Sequence, residues 1–242
     1  MAGHSRWTQI KRQKGVADVK RGALFAKLAS GITIAARHGA DPEMNFQLRI
    51  AIDKARAANM PKDNIERAVE RAGGSGADAI EEALYEAYGP GGTAFLIEAA
   101  TDNRNRTVGE IKATLARNGG KLAESGSVSY LFKKLGQIVF EKLNPDEVEL
   151  AAIDAGAQDV EHSDGQVFVY TDPKELESVR KNLEKVGFIA NDVGFEWQPT
   201  STVTITDQET AEKVLRLAEA LDDLDDVTRV SGNFEVDPKL LD

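Results

Sequence analysis

The fold of this chain is constrained most by a change in the spacing of its apolar residues near residue 73. Before that point apolar residues recur every three or four positions, which is typical of amphipathic helices. Beyond it, short runs rich in β-branched and aromatic residues alternate with helical patterns, which indicates strands and helices in turn. The stretch Gly73-Gly74-Ser75-Gly76 separates the two regions and has the composition of a flexible linker.

Three helices are predicted in the N-terminal region. The first carries apolar residues on one face and ends near Arg37. The third begins at Pro61, because proline suits the first position of a helix. The second is predicted from the spacing of Met44, Leu48, Ile52 and Ala55.

Residues 136–199 have the β-α-β-β-α-β order of a ferredoxin-like unit. Its first helix is predicted to enter at Asn144-Pro145 and to end at Gly156. Its second is predicted to enter at Asp172-Pro173 and to end at Gly187. Between them, a hairpin is predicted to turn at Ser163-Asp164-Gly165.

Two β-α-β segments flank this unit. The first has strands predicted at 93–100 and 127–132, and the second at 203–205 and 229–236. Since neither forms a satisfactory sheet alone, we predict that together they complete a second ferredoxin-like unit. The fold class is therefore α+β, an N-terminal helical domain followed by two ferredoxin-like α/β domains, one inserted into the other. The predicted domains are residues 1–76, residues 77–135 with 200–242, and the inserted residues 136–199.

The charge of the chain is unevenly distributed. The formal net charge is -10, yet residues 1–72 hold 14 Lys and Arg against 7 Asp and Glu. The remainder therefore carries a net charge of -17. This segregation suggests that one part meets a polyanion, although a basic end can also be an ordinary solvated surface. The N-terminus lacks the apolar segment of a secretory signal, and no apolar run is long enough to span a membrane, so we expect a cytoplasmic protein.

The first residues, MAGHSRWTQIKRQKG, form a basic and aromatic arm without an acidic residue. Trp7 offers a flat face on which a base can stack, and the cations can pair with phosphates. The alternative is that Trp7 packs onto the helical domain while the lysines face water. We favour nucleic-acid contact, and the predicted contact residues of this region are His4, Ser5, Arg6, Trp7, Lys11, Arg12, Lys14, Lys20 and Arg21.

A second candidate contact lies in the segment Thr101-Asp-Asn-Arg-Asn-Arg-Thr107, which joins a predicted strand to a helix. Arg104 and Arg106 stand beside the positive end of that helix dipole, which is locally unfavourable. A bound phosphate would offset this charge, and so would an internal salt bridge with Asp102 or Glu98. Both alternatives stay open at this point. Thr107 and Glu110 have the spacing of a capping box.

Nothing in the sequence indicates catalysis, a cofactor or a metal. The chain has no cysteine, and its three histidines, at 4, 38 and 162, lie in different predicted elements. Tyr88-Gly-Pro-Gly-Gly92 lacks the lysine of a P-loop and precedes a strand instead of following one, so we interpret it as a turn. We expect a protein that is not an enzyme.

Several long motifs resemble the YebC/PmpR family across the whole chain: MAGHSRW, KRGALFAKL, AIDKARAANMPKDNIERA, YEAYGPGG and TDNRNRT. Arg6 replaces the lysine of many members, which keeps the charge. The resemblance implies three domains, one helical and two α/β. It also implies a probable DNA-binding transcriptional regulator, since the family is so described. Mitochondrial relatives are translational activators, and bacterial members are linked to ribosomes stalled on proline-rich stretches.

Two mechanisms follow for a monomeric regulator of gene expression. In the first, the arm docks on ribosomal RNA and supports elongation; in the second, the protein binds duplex DNA at promoters. The sequence has no clear helix-turn-helix and no evident dimerisation seam. We therefore favour structured RNA, with promoter DNA as the alternative.

Overall fold

The structure, a computed structural model, describes residues 18–72, 80–163, 165–237 and 240, without the side chains of residues 18–21. In its N-terminal half the elements are α1 (Asp18–Ala36), α2 (Phe46–Ala57), α3 (Lys62–Arg71), β1 (Glu81–Tyr88), β2 (Ala94–Thr101), α4 (Arg104–Arg117) and β3 (Lys121–Leu122). They are followed by β4 (Phe132–Glu141), α5 (Pro145–Ala155), β5 (Asp159–Ser163), β6 (Gln166–Thr171), α6 (Leu176–Lys185) and β7 (Asp192–Pro199). The last are β8 (Val203–Ile205), α7 (Gln208–Asp222), β9 (Val227–Gly232) and β10 (Phe234–Val236).

The three predicted N-terminal helices are confirmed, and they share one core. Ile32 of α1, Leu48 and Ala55 of α2, and Ile65 of α3 are buried together in it. Two boundary predictions are wrong. Met44 is 86% exposed and precedes α2. Pro61 lies just outside α3, because its extended backbone cannot belong to a helix.

Helix α1 is apolar around most of its circumference, and such a helix is buried on more than one side. It contacts α2 and α3, and it also contacts strands β2 and β9 of the neighbouring sheet. Lys27 donates from its ammonium to the backbone carbonyl of Asp222, at the end of α7. The helical region is thereby attached to the sheet through its first helix.

This first sheet has the strand order β3-β1-β2-β9. Strands β1 and β2 pair antiparallel over eight residues, and β9 pairs antiparallel on the other edge of β2. Its core includes Ile97 of β2, Ile111 of α4, Leu217 of α7 and Val230 of β9. Strands β8 and β10 form a separate parallel pair.

Two predictions about this sheet are wrong. Residues 127–132 are not a strand, because a single helical turn at Ser129–Leu131 precedes β4. Strand β1, which we did not predict, takes the place between β2 and β3 that a ferredoxin-like order would give to β8. The glutamates and alanines of its sequence, EEALYEAY, have low strand propensity, so its extended form depends on pairing with β2.

The second sheet has the order β5-β6-β4-β7, which is the strand order of a ferredoxin-like unit. Helices α5 and α6 contact each other and bury Val148, Val179 and Leu183. The predicted helix start at Asn144-Pro145, helix end at Gly156 and hairpin of β5 with β6 are confirmed. The predicted helix start at Asp172-Pro173 is wrong, because α6 begins at Leu176. A Cβ on Gly136 would lie 2.9 Å from Cβ of Leu176, so glycine allows this close packing of sheet and helix.

The α+β fold class is confirmed. Residues 133–198 form one compact unit, and the described residues before and after them form another. The division of the chain into three domains, with residues 1–76 as a domain of their own, stays a prediction. Within the described ranges no helix is long and apolar enough to cross a membrane.

Candidate nucleic-acid interface

The structure places only part of the predicted contact set. Lys20 and Arg21 lie in the first turns of α1, while their side chains are outside the described atoms. Arg104 and Arg106 are fully described, at the start of α4. The others lie outside the described residues: His4, Ser5, Arg6, Trp7, Lys11, Arg12 and Lys14.

Helix α4 begins at Arg104, inside the segment that we expected to precede it. Asn103 is its N-cap, and the side-chain oxygen of Asn103 accepts from the backbone N–H of Arg106 at 3.1 Å. Thr107 is inside the helix, so the predicted capping box with Glu110 is wrong. The Thr107 hydroxyl instead hydrogen-bonds the hydroxyl of Thr101 at 2.7 Å and the Asp226 carboxylate at 2.6 Å.

Both arginines of this segment are engaged by acidic groups of the protein itself. The Arg106 guanidinium donates to Asp102 at 2.9 Å and to both carboxylate oxygens of Asp226 at 3.0 and 2.8 Å. Arg104 donates to Glu81 at 2.5 Å. Internal salt bridges therefore offset the charge at this helix start. Asp102 is one of the partners that we considered, whereas Glu98, the other, lies 3.5 Å from Arg229.

Asp226 is the centre of this network. Its carboxylate accepts from Arg106, Thr101 and Thr107, and its backbone carbonyl accepts from the Ala100 N–H. Burial alone would raise the pKa of Asp226, but the hydrogen bonds from Thr107 and Arg106 and the Arg106 charge outweigh it. The pKa of Asp226 is therefore below its usual value.

The network joins the end of β2, the start of α4 and the turn between α7 and β9. Sequence reasoning missed Asp226 and Glu81 because they are 120 and 23 residues from their arginine partners. The stretch LDDLDD that contains Asp226 has the composition of a solvated acidic turn, and we find no sequence signal that selects this one aspartate. Contact of Arg104 or Arg106 with nucleic acid stays a prediction.

The segment Tyr88–Gly92 forms a tight turn packed against α7. Gly91 has a φ of +68°, and a Cβ there would lie 2.7 Å from Cγ2 of Thr210. A Cβ on Gly89 would lie 2.5 Å from both Phe95 and Thr93 side-chain atoms. These glycines are needed for packing, which supports the interpretation of this motif as a turn.

The described residues hold no group of three or more His, Asp or Glu side chains that could bind a metal ion. His162 lies 2.9 Å from a carboxylate oxygen of Glu149 on the protein surface. His38 is exposed beyond the end of α1.

Two family models match the chain. One, described as the TACO1/YebC protein N-terminal domain, matches residues 5–75. The other, described as the TACO1/YebC second and third domain, matches residues 80–234.

Similar proteins are found in several bacteria. A probable transcriptional regulatory protein of Roseiflexus castenholzii is 52% identical, covering 99% of this chain and 97% of that protein. One of Halothermothrix orenii, with the same description, is 47% identical, covering 100% of this chain and 98% of that protein. The crystal structure of a conserved hypothetical protein of Aquifex aeolicus has a TM-score of 0.91 at 45% identity, covering 98% and 100% of the two chains.

Proposed function

Because the chain belongs to the TACO1/YebC family, we propose that it is a nucleic-acid-binding regulator of gene expression. Relatives of nearly the same length are named probable transcriptional regulatory proteins. We expect it to act in the cytoplasm as a monomer, by binding and not by catalysis.

The observation that carries this proposal is where the positive charge lies. Residues 1–21 contain six Lys and Arg and one aspartate, so they hold most of the excess charge of the N-terminal region. In the helical region that follows, two cations are paired with carboxylates one helical turn away. Arg56 lies 3.3 Å from Asp53, and Lys62 lies 3.4 Å from Glu66. The arm is therefore the segment best suited to meet a polyanion.

The arm favours RNA as the target. It combines one indole ring with closely spaced cations, and unpaired RNA bases are recognised by stacking on aromatic rings beside phosphate contacts. The strongly acidic remainder of the chain would repel nucleic acid elsewhere and so confine contact to few places. Our favoured mechanism is therefore binding to ribosomal RNA in support of translation elongation, as at proline-rich stretches. The names of the relatives favour the alternative, binding to promoter DNA.

Charge reversal in the arm tests the proposal. Replacing Lys11, Arg12 and Lys14 by glutamate should weaken binding strongly and flatten its salt dependence, since each lost phosphate contact lowers the log–log slope by roughly 0.7 to 0.9. The measurement is fluorescence anisotropy at several salt concentrations. The matched control replaces Lys181, Lys185 and Lys213 by glutamate, which changes the net charge equally on exposed helix faces. If the salt dependence of binding has the same slope for both variants, the arm does not contact the phosphates.

Trp7→Ala separates stacking from folding within the same arm. If the indole stacks on a base, binding should weaken by roughly 1–3 kcal/mol while the thermal midpoint hardly changes. If the indole is buried in the fold instead, Trp7→Ala should lower the free energy of unfolding by on the order of 3–5 kcal/mol.

To identify the target, cells are fractionated on a sucrose gradient and the nucleic acid crosslinked to the protein is sequenced. Crosslinks confined to one ribosomal RNA site support the favoured mechanism, whereas enriched promoter fragments support the alternative.

A further inference from the structure

The turn of residues 124–131 is fixed by a buried carboxylate. Glu86 of β1 is only 5% exposed. Its side chain accepts three backbone hydrogen bonds from this turn: from Gly126 at 2.7 Å, Val128 at 2.6 Å and Ser129 at 2.9 Å. Burial alone would raise the pKa of Glu86, but these three bonds lower it below the usual value, so the carboxylate is charged at neutral pH.

Further contacts fix the ends of the turn. The Tyr88 hydroxyl donates to the carbonyl of Ser127 at 3.2 Å. The carbonyl of Leu131 accepts from both the backbone N–H and the hydroxyl of Thr200, at 2.7 and 3.0 Å. Val128 is fully buried beneath the turn. A surface turn held at so many points keeps one conformation.

This rigid turn nevertheless presents an aromatic ring to solvent. Tyr130 is 72% exposed, although tyrosine in a fold of this size would ordinarily bury most of its ring. Because the turn is already ordered, little conformational entropy would be lost when the ring meets a ligand. Such an arrangement suits recognition more than stability.

The ammonium of Lys121 lies beside the turn. Lys121 is the cross-strand neighbour of Tyr88, and its ammonium lies 5.5 Å from the centre of the Tyr88 ring. Lys121 pairs with no carboxylate among the residues that the structure describes, in contrast to Arg104 and Arg106.

From this arrangement we propose a second nucleic-acid contact, outside the arm, in which Tyr130 stacks on an unpaired base while Lys121 contacts a neighbouring phosphate. An exposed ring on a turn that lies beside an ammonium fits a base and its phosphate. This inference rests on the proposed function and adds a site in the α/β part of the chain. RNA and single-stranded DNA share this chemistry, so the probes include both.

The test measures the Kd of the full chain by fluorescence anisotropy. The probes are a fluorescein-labelled RNA hairpin with an unpaired loop, the DNA hairpin of the same sequence and a fully paired RNA duplex. Tyr130→Ala should raise the Kd for the hairpins about 5- to 150-fold and change the duplex Kd little. Tyr130→Phe should bind like the original chain. Since the ring is exposed, neither change should move the thermal midpoint.

A variant that binds more tightly provides a further control, because a misfolded protein would bind more weakly. Glu124 is an exposed carboxylate in the same turn, so it should repel a phosphate held by Lys121. Glu124→Gln should therefore lower the hairpin Kd, whereas Glu147→Gln, an exposed change on α5, should leave it unchanged.

The two proposals fail in different ways. If the unchanged chain binds none of the probes, both are wrong. If arm charge reversal abolishes hairpin binding while Tyr130→Ala and Glu124→Gln leave the Kd unchanged, the proposed function stands and the second contact is refuted.

Discussion

At the scale of single residues, a cation beside a helix start is ambiguous until its partners are known. Arg106 has the position expected of a phosphate ligand, yet two carboxylates surround it, and Asp226 is the more buried of them. The hydroxyls of Thr101 and Thr107 also donate hydrogen bonds to the Asp226 carboxylate. The TDNRNRT motif thus has a structural role before any binding role is considered.

Replacing Asp226 tests that structural role. Asp226→Asn should destabilise the fold by about 1–3 kcal/mol at pH 7, because it removes charge-assisted hydrogen bonds from a largely buried site. The folded-state pKa of Asp226 is lowered, so its stabilisation is full above the unfolded pKa of about 4 and is lost as the pH falls through the folded value. The gap in thermal midpoint between the two proteins should therefore narrow below about pH 4.

The neighbouring Asp225 provides the control for this prediction. It is exposed, so Asp225→Asn should leave the thermal midpoint unchanged at every pH. A gap between Asp226→Asn and the unchanged protein that stays constant down to pH 2 would contradict the assigned lowered pKa.

At the scale of elements, the sequence predicts the existence of helices better than their starts, and strand partners poorly. Helix ends depend on adjacent residues, so Asn144-Pro145 and Gly156 indicated α5 correctly. Strand β8 pairs with β10 instead of β2, and nothing local to Val203–Ile205 determines that choice. The same limit applies to the candidate site. Its arginines were found from a local motif, whereas Glu86, Asp226 and exposed Tyr130 acquire their roles only from the tertiary structure.

Some helix caps bond only their own helix, whereas others also join it to a neighbouring helix, and the two kinds should differ in their effect on stability. Asn45 accepts from the Leu48 N–H and donates to the carbonyls of Ala35 and Gly39, which ties the end of α1 to the start of α2. Asn45→Ala leaves buried groups unpaired and should cost about 2–3 kcal/mol. Asn103→Ala removes an exposed cap of α4 and should cost about 1 kcal/mol.

Urea unfolding of the full chain measures both changes. A shift of the midpoint at constant slope reports stability alone. If Asn103→Ala lowers the free energy of unfolding as much as Asn45→Ala does, the additional hydrogen bonds of Asn45 do not stabilise the fold.

At the scale of the whole molecule, the chain leaves and re-enters one unit at neighbouring points. The Leu131 carbonyl accepts from the Thr200 N–H at 2.7 Å, so the residues that flank the compact unit 133–198 are joined by a hydrogen bond. Strands β4 and β7, which begin and end that unit, are neighbours in its sheet. Loop closure across such a short gap costs little, so we expect the two units to fold separately.

Fragment experiments test this independence. Residues 132–199 expressed alone should melt cooperatively, because they contain a complete four-stranded sheet and both of its helices. The complementary protein, with residues 133–198 replaced by a short Gly-Ser linker, should also fold, because Leu131 and Thr200 are already adjacent.

Residues 93–133 alone should not fold, since β2 would lose both of its neighbours, β1 and β9. Circular dichroism melting and dispersion of the amide proton spectrum measure all three. An unfolded 132–199 fragment would show that this unit depends on the rest of the chain to fold. Cooperative melting of 93–133 would show that β2 and α4 fold without β1 and β9.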